Sequence, residues 1–464
     1  PKPSSAASDV YKRQGFTMSG LFIFLVIFLA VVCMVLAISK FNQHPFIVLT
    51  VIAIAVGLVC GIPTEEVINT VKSGFGNILA SIGIVILAGT IIGTILEKTG
   101  AALTMANTIL KMVGKKNSVL TMVITGYVTG IPVFCDSGFV ILSPISRALA
   151  SQSNVSLAVM ATALSGGLYA THCLVPPTPG PIAMAGTLEA DLGLTILVGL
   201  LVSIPATLSA LIYAKKVSSK IDIPANPEYT VDELLQKYGK LPGALHSFSP
   251  ILLPIVLIAL KSVGDFPSAP FGDGVVKMFF SFIGNPVIAL ILGVFLAMTL
   301  VPAAEKKNTL SWITEGVTNS AGILAITGAG GAFGAILQKL PIADALSASL
   351  LGLGVGVFLP FIIAALLKTA MGASTVAMIT TSAMIAPLMP ALGFTSPLAK
   401  VLVIMAIGAG SMTVSHANDS YFWVVSQFSD METKDAYKCQ TGMTGVMGIV
   451  TIIVVFLLSL VFVH

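Results

Sequence analysis

Charge is what this sequence lacks. Of its 464 residues only 9% are Asp, Glu, Lys or Arg, where a soluble domain carries about 25%. The shortage excludes a large water-soluble helical fold, which needs polar outer faces. The charge that remains nearly cancels, at +4, so no basic surface invites nucleic acid. Cysteine is scarce too. Cys33, Cys60, Cys135, Cys173 and Cys439 show no C-x-x-C pairing. They read as buried thiols, with neither a disulfide framework nor a zinc pattern, and no metal site is expected. The glycine-rich run Gly328–Gly334 lacks the G-x-G-x-x-G spacing and a preceding strand, so it reads as close helix packing, and no cofactor is expected. No cleavable signal is visible: the first apolar run is too long and has no small-residue cleavage site.

What is present is apolar length. The chain is 56% hydrophobic, with a mean hydropathy of +0.99. Segments of about 20 uncharged residues can cross a hydrocarbon core. The clearest are Leu21–Ser39, Asn77–Leu96, Leu192–Ala214, Met278–Ala304, Gly316–Leu337 and Cys439–Val463. The expected class is an all-α polytopic membrane protein embedded in a lipid bilayer. Residues 1–17 differ in composition from the rest and read as a non-native or disordered leader before Met18.

Two polar islands interrupt the first half: Gly130–Gly138 and Thr171–Pro181. Irregular backbone and ionisable groups at membrane depth are tolerated only inside protein or beside a wet cavity. Asn117–Ala150 is too long for one span, yet leg Asn117–Ile131 reaches only about 22 Å as a helix. It reads as a re-entrant hairpin with the first island at its tip. Val155–Thr171, resumed at Pro181–Leu188, reads as one broken crossing. This topology puts fifteen of the 24 Lys and Arg on one side and five on the other. The richer side, with the 215–246 linker loop, is cytoplasmic, and both termini lie outside.

The halves echo each other. Gly166–His172 resembles Gly410–His416, and Gly93–Lys98 resembles Gly334–Lys339. The second half has its own hairpin, Ala345–Pro387, interrupted at Lys368–Thr375, and its own broken span at Ser415–Ser420. Repeats at 18–214 and 247–464 would then be inverted, with a site at their interface near mid-membrane, as in many secondary transporters.

Candidate residues follow from the breaks. Asp136 at a hairpin tip suits proton cycling or cation ligation; the plainer role is helix capping. Lys368 lies within an apolar run and suits an anion; the plainer role is a snorkelling lysine. Ser374 and Thr375 open a helix whose N–H groups also favour an anion. His172 and His416 occupy matched breaks and suit substrate bonding or proton carriage. Asn418 and Asp419 either line the second break or cap the half-helix near Tyr421.

The segments Gly130–Phe139, His172–Pro181 and Ser415–Ser420 resemble signature segments of the gluconate permease (GntP) family, and the likeness runs across the chain from Met18. It implies a proton-linked symporter for small sugar acids in the bacterial inner membrane. It also implies an ion-transporter fold with two hairpins, two broken helices and often a homodimeric scaffold. Many members carry His where Thr178 stands, an aromatic at Cys135 and Arg at Lys368. Lys keeps the charge but loses bidentate carboxylate recognition, which suits a smaller hydroxy acid. Substrate would be held by Ser137, His172, Thr178, Lys368, Ser374, Thr375, His416 and Asn418. Asp136, His172 or Asp419 would carry the proton. Two other readings stay open. One is a sodium-coupled carboxylate or D-serine-like amino-acid carrier. The other is a membrane-embedded hydrolase using His172 and Asp136, although no nucleophile elbow accompanies them. The topology has a direct check: a Lys237→Cys variant should react with an impermeant thiol reagent from the cytoplasmic side, and labelling from outside overturns it.

Overall fold

The computed structural model describes residues 20–39, 41, 43–114, 117–225, 233, 241–264, 271–272, 274–340, 356–390, 392–416 and 419–462. The leader, residues 226–232 and 234–240 of the 215–246 loop with Lys237, the first part of the Ala345–Pro387 segment, and Asn418 lie outside the described residues. Among those described, every regular element is helical.

The first half contains α1 (Gly20–Ser39), α2 (Pro45–Val59), α3 (Thr64–Lys98), α4 (Ala101–Val113), α5 (Ser118–Thr129), α6 (Cys135–Ser153), α7 (Leu157–Leu174), α8 (Pro179–Thr187) and α9 (Leu192–Lys216). The second contains α10 (Ala244–Gly264), α11 (Val275–Ile283), α12 (Pro286–Thr299), α13 (Thr309–Gln338), α14 (Phe358–Met371), α15 (Ser374–Ile385), α16 (Pro397–Met412), α17 (Ser420–Phe428), α18 (Thr433–Ala436) and α19 (Gly442–Phe462). Five helical stretches among the described residues are long and apolar enough to cross a membrane, or up to seven if each of two bent pairs is one span.

Most expected spans appear as helices, but Met278–Ala304 is not one straight rod. It bends by 62° between α11 and α12. The cause is local: the Asn285 side chain accepts from Val287 N at 3.0 Å, and Pro286 occupies the first helical position. That pair starts a new helix rather than continuing the old one. The long helix α3 also bends, by 48° near Ser81–Gly83.

Helices α3 and α13 run antiparallel along a seam of small residues. A Cβ on Gly74 would meet the Gly331 carbonyl and Ala335, and one on Gly316 would meet the Ile91 backbone. Ion pairs close both ends, Lys98–Glu315 at 2.9 Å and Lys339–Glu66 at 3.0 Å. Both pairs are partly exposed, so they fix register more than they stabilise.

The helices nearest the breaks form the most buried part of the molecule. All 18 residues of α7 are buried. It crosses α5 where Gly126 faces Gly167: a Cβ on Gly167 would lie 2.2 Å from the Val123 carbonyl, and one on Gly126 would lie 2.4 Å from the Leu164 carbonyl. Only glycine permits that approach. Gly167→Ala should destabilise the protein by about 1–3 kcal/mol through overpacking. Gly76→Ala, in α3 with nothing within 4 Å of the new methyl, should be neutral or slightly stabilising. Thermal melting in detergent checks the contrast.

Candidate functional site

Each break has a residue-level cause. Between α5 and α6 the chain carries Gly130 and Pro132. Between α7 and α8 it carries Pro176 and Pro177, and Pro179 sits at the start of α8. Proline removes a donor and pushes the preceding residue out of the helical region. Gly372, at φ +82°, ends α14. The connection from α16 to α17 includes Val414 at φ +59°. Four helices therefore begin at a break: α6, α8, α15 and α17. The fields of such N-termini favour anions.

The breaks are joined to one another. Tyr169 in α7 bonds Ser374 at the start of α15 at 2.5 Å. A Cβ on Gly180 in α8 would collide with Met378 in α15. Helices α6 and α17 are tied at both ends. The Ser420 hydroxyl donates to Asp136 Oδ1 at 3.4 Å. Arg147 donates to Asp430 Oδ2 at 2.6 Å and to the Phe428 carbonyl at 2.9 Å. A crevice of about 10 Å³ lies between α3 and the two first-half breaks, lined by Gly89, Thr90, Pro132, Phe134, Pro177, Thr178 and Pro179. That is room for about one water molecule.

At the centre stands Lys368, fully buried in the last turn of α14. Its Nζ donates to Asp419 Oδ2 at 2.6 Å and to the Gly372 carbonyl. The Tyr169 ring lies 5.9 Å from the ammonium. Asp419 is 5% exposed. Its Oδ2 also accepts from Ser415 Oγ at 2.6 Å, and its Oδ1 accepts from Tyr421 N at 3.1 Å, capping α17. Removing two charges from water costs several kcal/mol each. Here the cost is offset by the pairing and by the hydrogen bonds that surround it.

The other candidates divide. His172 is buried, and its Nδ1 finds no partner among the described residues. Its ring stacks on Tyr169 at 6.2 Å. A buried ring nitrogen with no protein partner is open to a hydrogen bond from water or substrate. His172 lies within the last turn of α7, however, while His416 lies beyond the end of α16. The two histidines therefore do not occupy matched breaks. The prolines come four residues after His172, so α7 runs through it. His416 Nε2–H donates to the Thr369 carbonyl at 2.8 Å, holding the second break against α14.

Asp136 is in the first turn of α6, half-buried, with Cys135 Sγ at 3.6 Å from Oδ2. Ser137 points towards α3, where it bonds Glu97. Thr178 is buried and donates to the Val175 carbonyl at 2.6 Å and the His172 carbonyl at 3.1 Å, closing the first break on itself. Ser374 is buried against Tyr169, and Thr375 is half-buried beside it. The capping role weighed for Asp419 holds and coexists with the ion pair. The snorkelling role for Lys368 does not hold, since its head group is enclosed. Sequence reasoning missed Tyr169 and Tyr421, which stack on each other at 5.2 Å and wall the site. The first sat inside the repeated Gly166–His172 segment and the second directly after Ser420, but aromatics are common in apolar helices.

The model of the GntP permease family matches residues 22–461. The chain belongs to that family. Relatives include a gluconate permease of Pseudomonas aeruginosa, 31% identical over 93% of this chain and 96% of that protein. The D-serine transporter DsdX of Escherichia coli is 32% identical over 96% and 99%. The solved YdaH transporter of Alcanivorax borkumensis superposes with a TM-score of 0.67 at 14% identity, covering 91% of this chain and 99% of that one. The protein is thus a multi-pass inner-membrane permease, and the hydrolase reading falls.

The buried pair generates a stability test. Lys368→Met should cost about 3–5 kcal/mol by stranding Asp419. Lys368→Met with Asp419→Asn should recover much of that loss, because Asn still caps α17. Melting midpoints of the single and double variants check it. A double variant no more stable than Lys368→Met contradicts the pairing.

Proposed function

We propose that this GntP permease carries a small hydroxy-carboxylate of the gluconate type together with a cation, by alternating access. The observation that carries this reading is Lys368, a fully buried ammonium within an apolar helix, met by Asp419 at the start of α17 and by the Tyr169 ring of α7. Keeping such a charge away from water is expensive, and an anionic substrate gives it a use. Its carboxylate would sit by Lys368 and the N-terminus of α15 at Ser374 and Thr375. His172 would reach its hydroxyls, with His416 and Asn418 contributing from the second break, while Ser137 is turned away towards Glu97. The gluconate permease relative supports a sugar acid. The D-serine transporter relative supports an amino acid, whose carboxylate would use the same cation.

A cation must accompany the anion. Moving an uncompensated negative charge into a cell costs about 2.3 kcal/mol per 100 mV. Asp136, His172 and Asp419 are the groups available to carry a proton. The inverted repeat remains part of this reading. It is supported by the antiparallel pairing of α3 with α13, whose ends carry the echoed Gly93–Lys98 and Gly334–Lys339 segments. A cavity of about 530 Å³ at the far ends of α8 and α15, lined in part by Glu189, Phe394 and Lys400, supports an access route on the side assigned to the exterior.

Purified protein in proteoliposomes should accumulate labelled gluconate when the outside is acidified at constant sodium. The Lys368→Ala variant should lose nearly all of that uptake. Accumulation driven by sodium at clamped pH would replace the proton by sodium. Selective uptake of D-serine would replace the sugar acid by an amino acid.

A further inference from the structure

The partner that occupies Lys368 here is itself a carboxylate. Asp419 Oδ2 takes the ammonium at 2.6 Å, in the geometry a substrate carboxylate would want. Among the described residues, the other hydrogen-bond acceptor of Lys368 is the Gly372 carbonyl. An incoming carboxylate must therefore displace Asp419 or share the ammonium with it. In both cases two carboxylates face one cation inside a buried site. Such a pair favours holding one proton between them.

We infer that Asp419 is the proton-coupling group, and that it works by exchange: substrate carboxylate replaces Asp419 at Lys368 as Asp419 takes up a proton. This rests on the carboxylate-transport reading above. The proton comes from the aqueous side and resides on Asp419 Oδ2. Lys368 stays protonated throughout. Before binding, the site holds one cation and one anion. After binding, it holds one cation, one substrate anion and one neutral acid. Substrate and proton then enter as a neutral load, which the membrane potential does not oppose.

The surroundings allow the exchange. Ser415 Oγ donates to Asp419 Oδ2 at 2.6 Å and can turn to accept from a protonated carboxyl, since a hydroxyl does both. Oδ1 keeps its cap on Tyr421 N in either state. The titratable groups that face Asp419 among the described residues are few. Helix α14 supplies Lys368; α7 supplies Tyr169, His172 and Cys173; α6 supplies Cys135 and Asp136; and α17 supplies Tyr421. Of these, only Lys368 is an ion-pair partner of Asp419. Asp136 lies close enough to feel the Asp419 charge directly, and it accepts a hydrogen bond from the neighbouring Ser420.

The test is proton uptake on binding. Calorimetric titration of the purified wild type with gluconate, in two buffers of different ionisation enthalpy, should give roughly one proton taken up per gluconate. Affinity should fall by about tenfold per pH unit on the alkaline side. Asp419→Asn, which keeps the cap, should bind with no proton uptake and with an affinity independent of pH. An infrared difference spectrum of the wild type should show a protonated carboxyl appearing with gluconate, a readout that needs no variant. Gluconate binding without proton uptake, or undiminished proton uptake by Asp419→Asn, overturns the exchange. A wild type that binds neither gluconate nor any other small carboxylate overturns the transport reading itself.

Discussion

The contact between Lys368 and Asp419 is the constraint around which the rest of the site is arranged. A lysine with no exposure survives in an apolar bundle only if a counter-charge is brought to it and both are hydrogen-bonded. Bringing Asp419 there requires α16 to stop early, so that the connection before α17 can turn towards α14. The Gly372 carbonyl becomes available because α14 also stops. Two helix breaks in the second half thus supply the two acceptors. The first half closes the other side with Tyr169 and His172 from α7, and that approach depends on the glycine crossing of α7 with α5.

The molecule divides into parts that serve different physical ends. The α3–α13 pair is long and seamed by glycine. The short helices at the breaks carry the polar groups and are pinned to each other by single hydrogen bonds: Tyr169 to Ser374, Ser420 to Asp136, and His416 to the Thr369 carbonyl. Arg147 holds Asp430 and the end of α17 by two bonds, and its guanidinium keeps the Asp430 carboxyl below the usual carboxylate range. Contacts of this kind are local and can be exchanged one at a time. A continuous apolar seam such as α3–α13 cannot.

Much of this was legible from sequence because breaks in a membrane helix are chemically loud. Proline pairs, glycine and an isolated ionisable group stand out against uncharged runs, and all four interruptions were visible that way. Lys368 was identifiable for the same reason: no surface lay within reach along its helix. The partner of Lys368 was not legible, since Asp419 lies 51 positions further along the chain and nothing in the sequence hints at contact. The helical setting of His172 was also missed, because the echo with His416 aligned residue types and not helix ends. Tyr169 and Tyr421 were hidden among ordinary apolar aromatics. The bend at Asn285-Pro286 carried a capping signal that the hydropathy of the segment obscured.

The most direct measurement is a structure of the protein with gluconate bound. The carboxylate of the substrate should lie within hydrogen-bond distance of Lys368 Nζ, between the starts of α15 and α17, with Asp419 turned from the ammonium while still capping Tyr421. Substrate bound away from Lys368, with the Lys368–Asp419 contact intact, would contradict the assignment of this site.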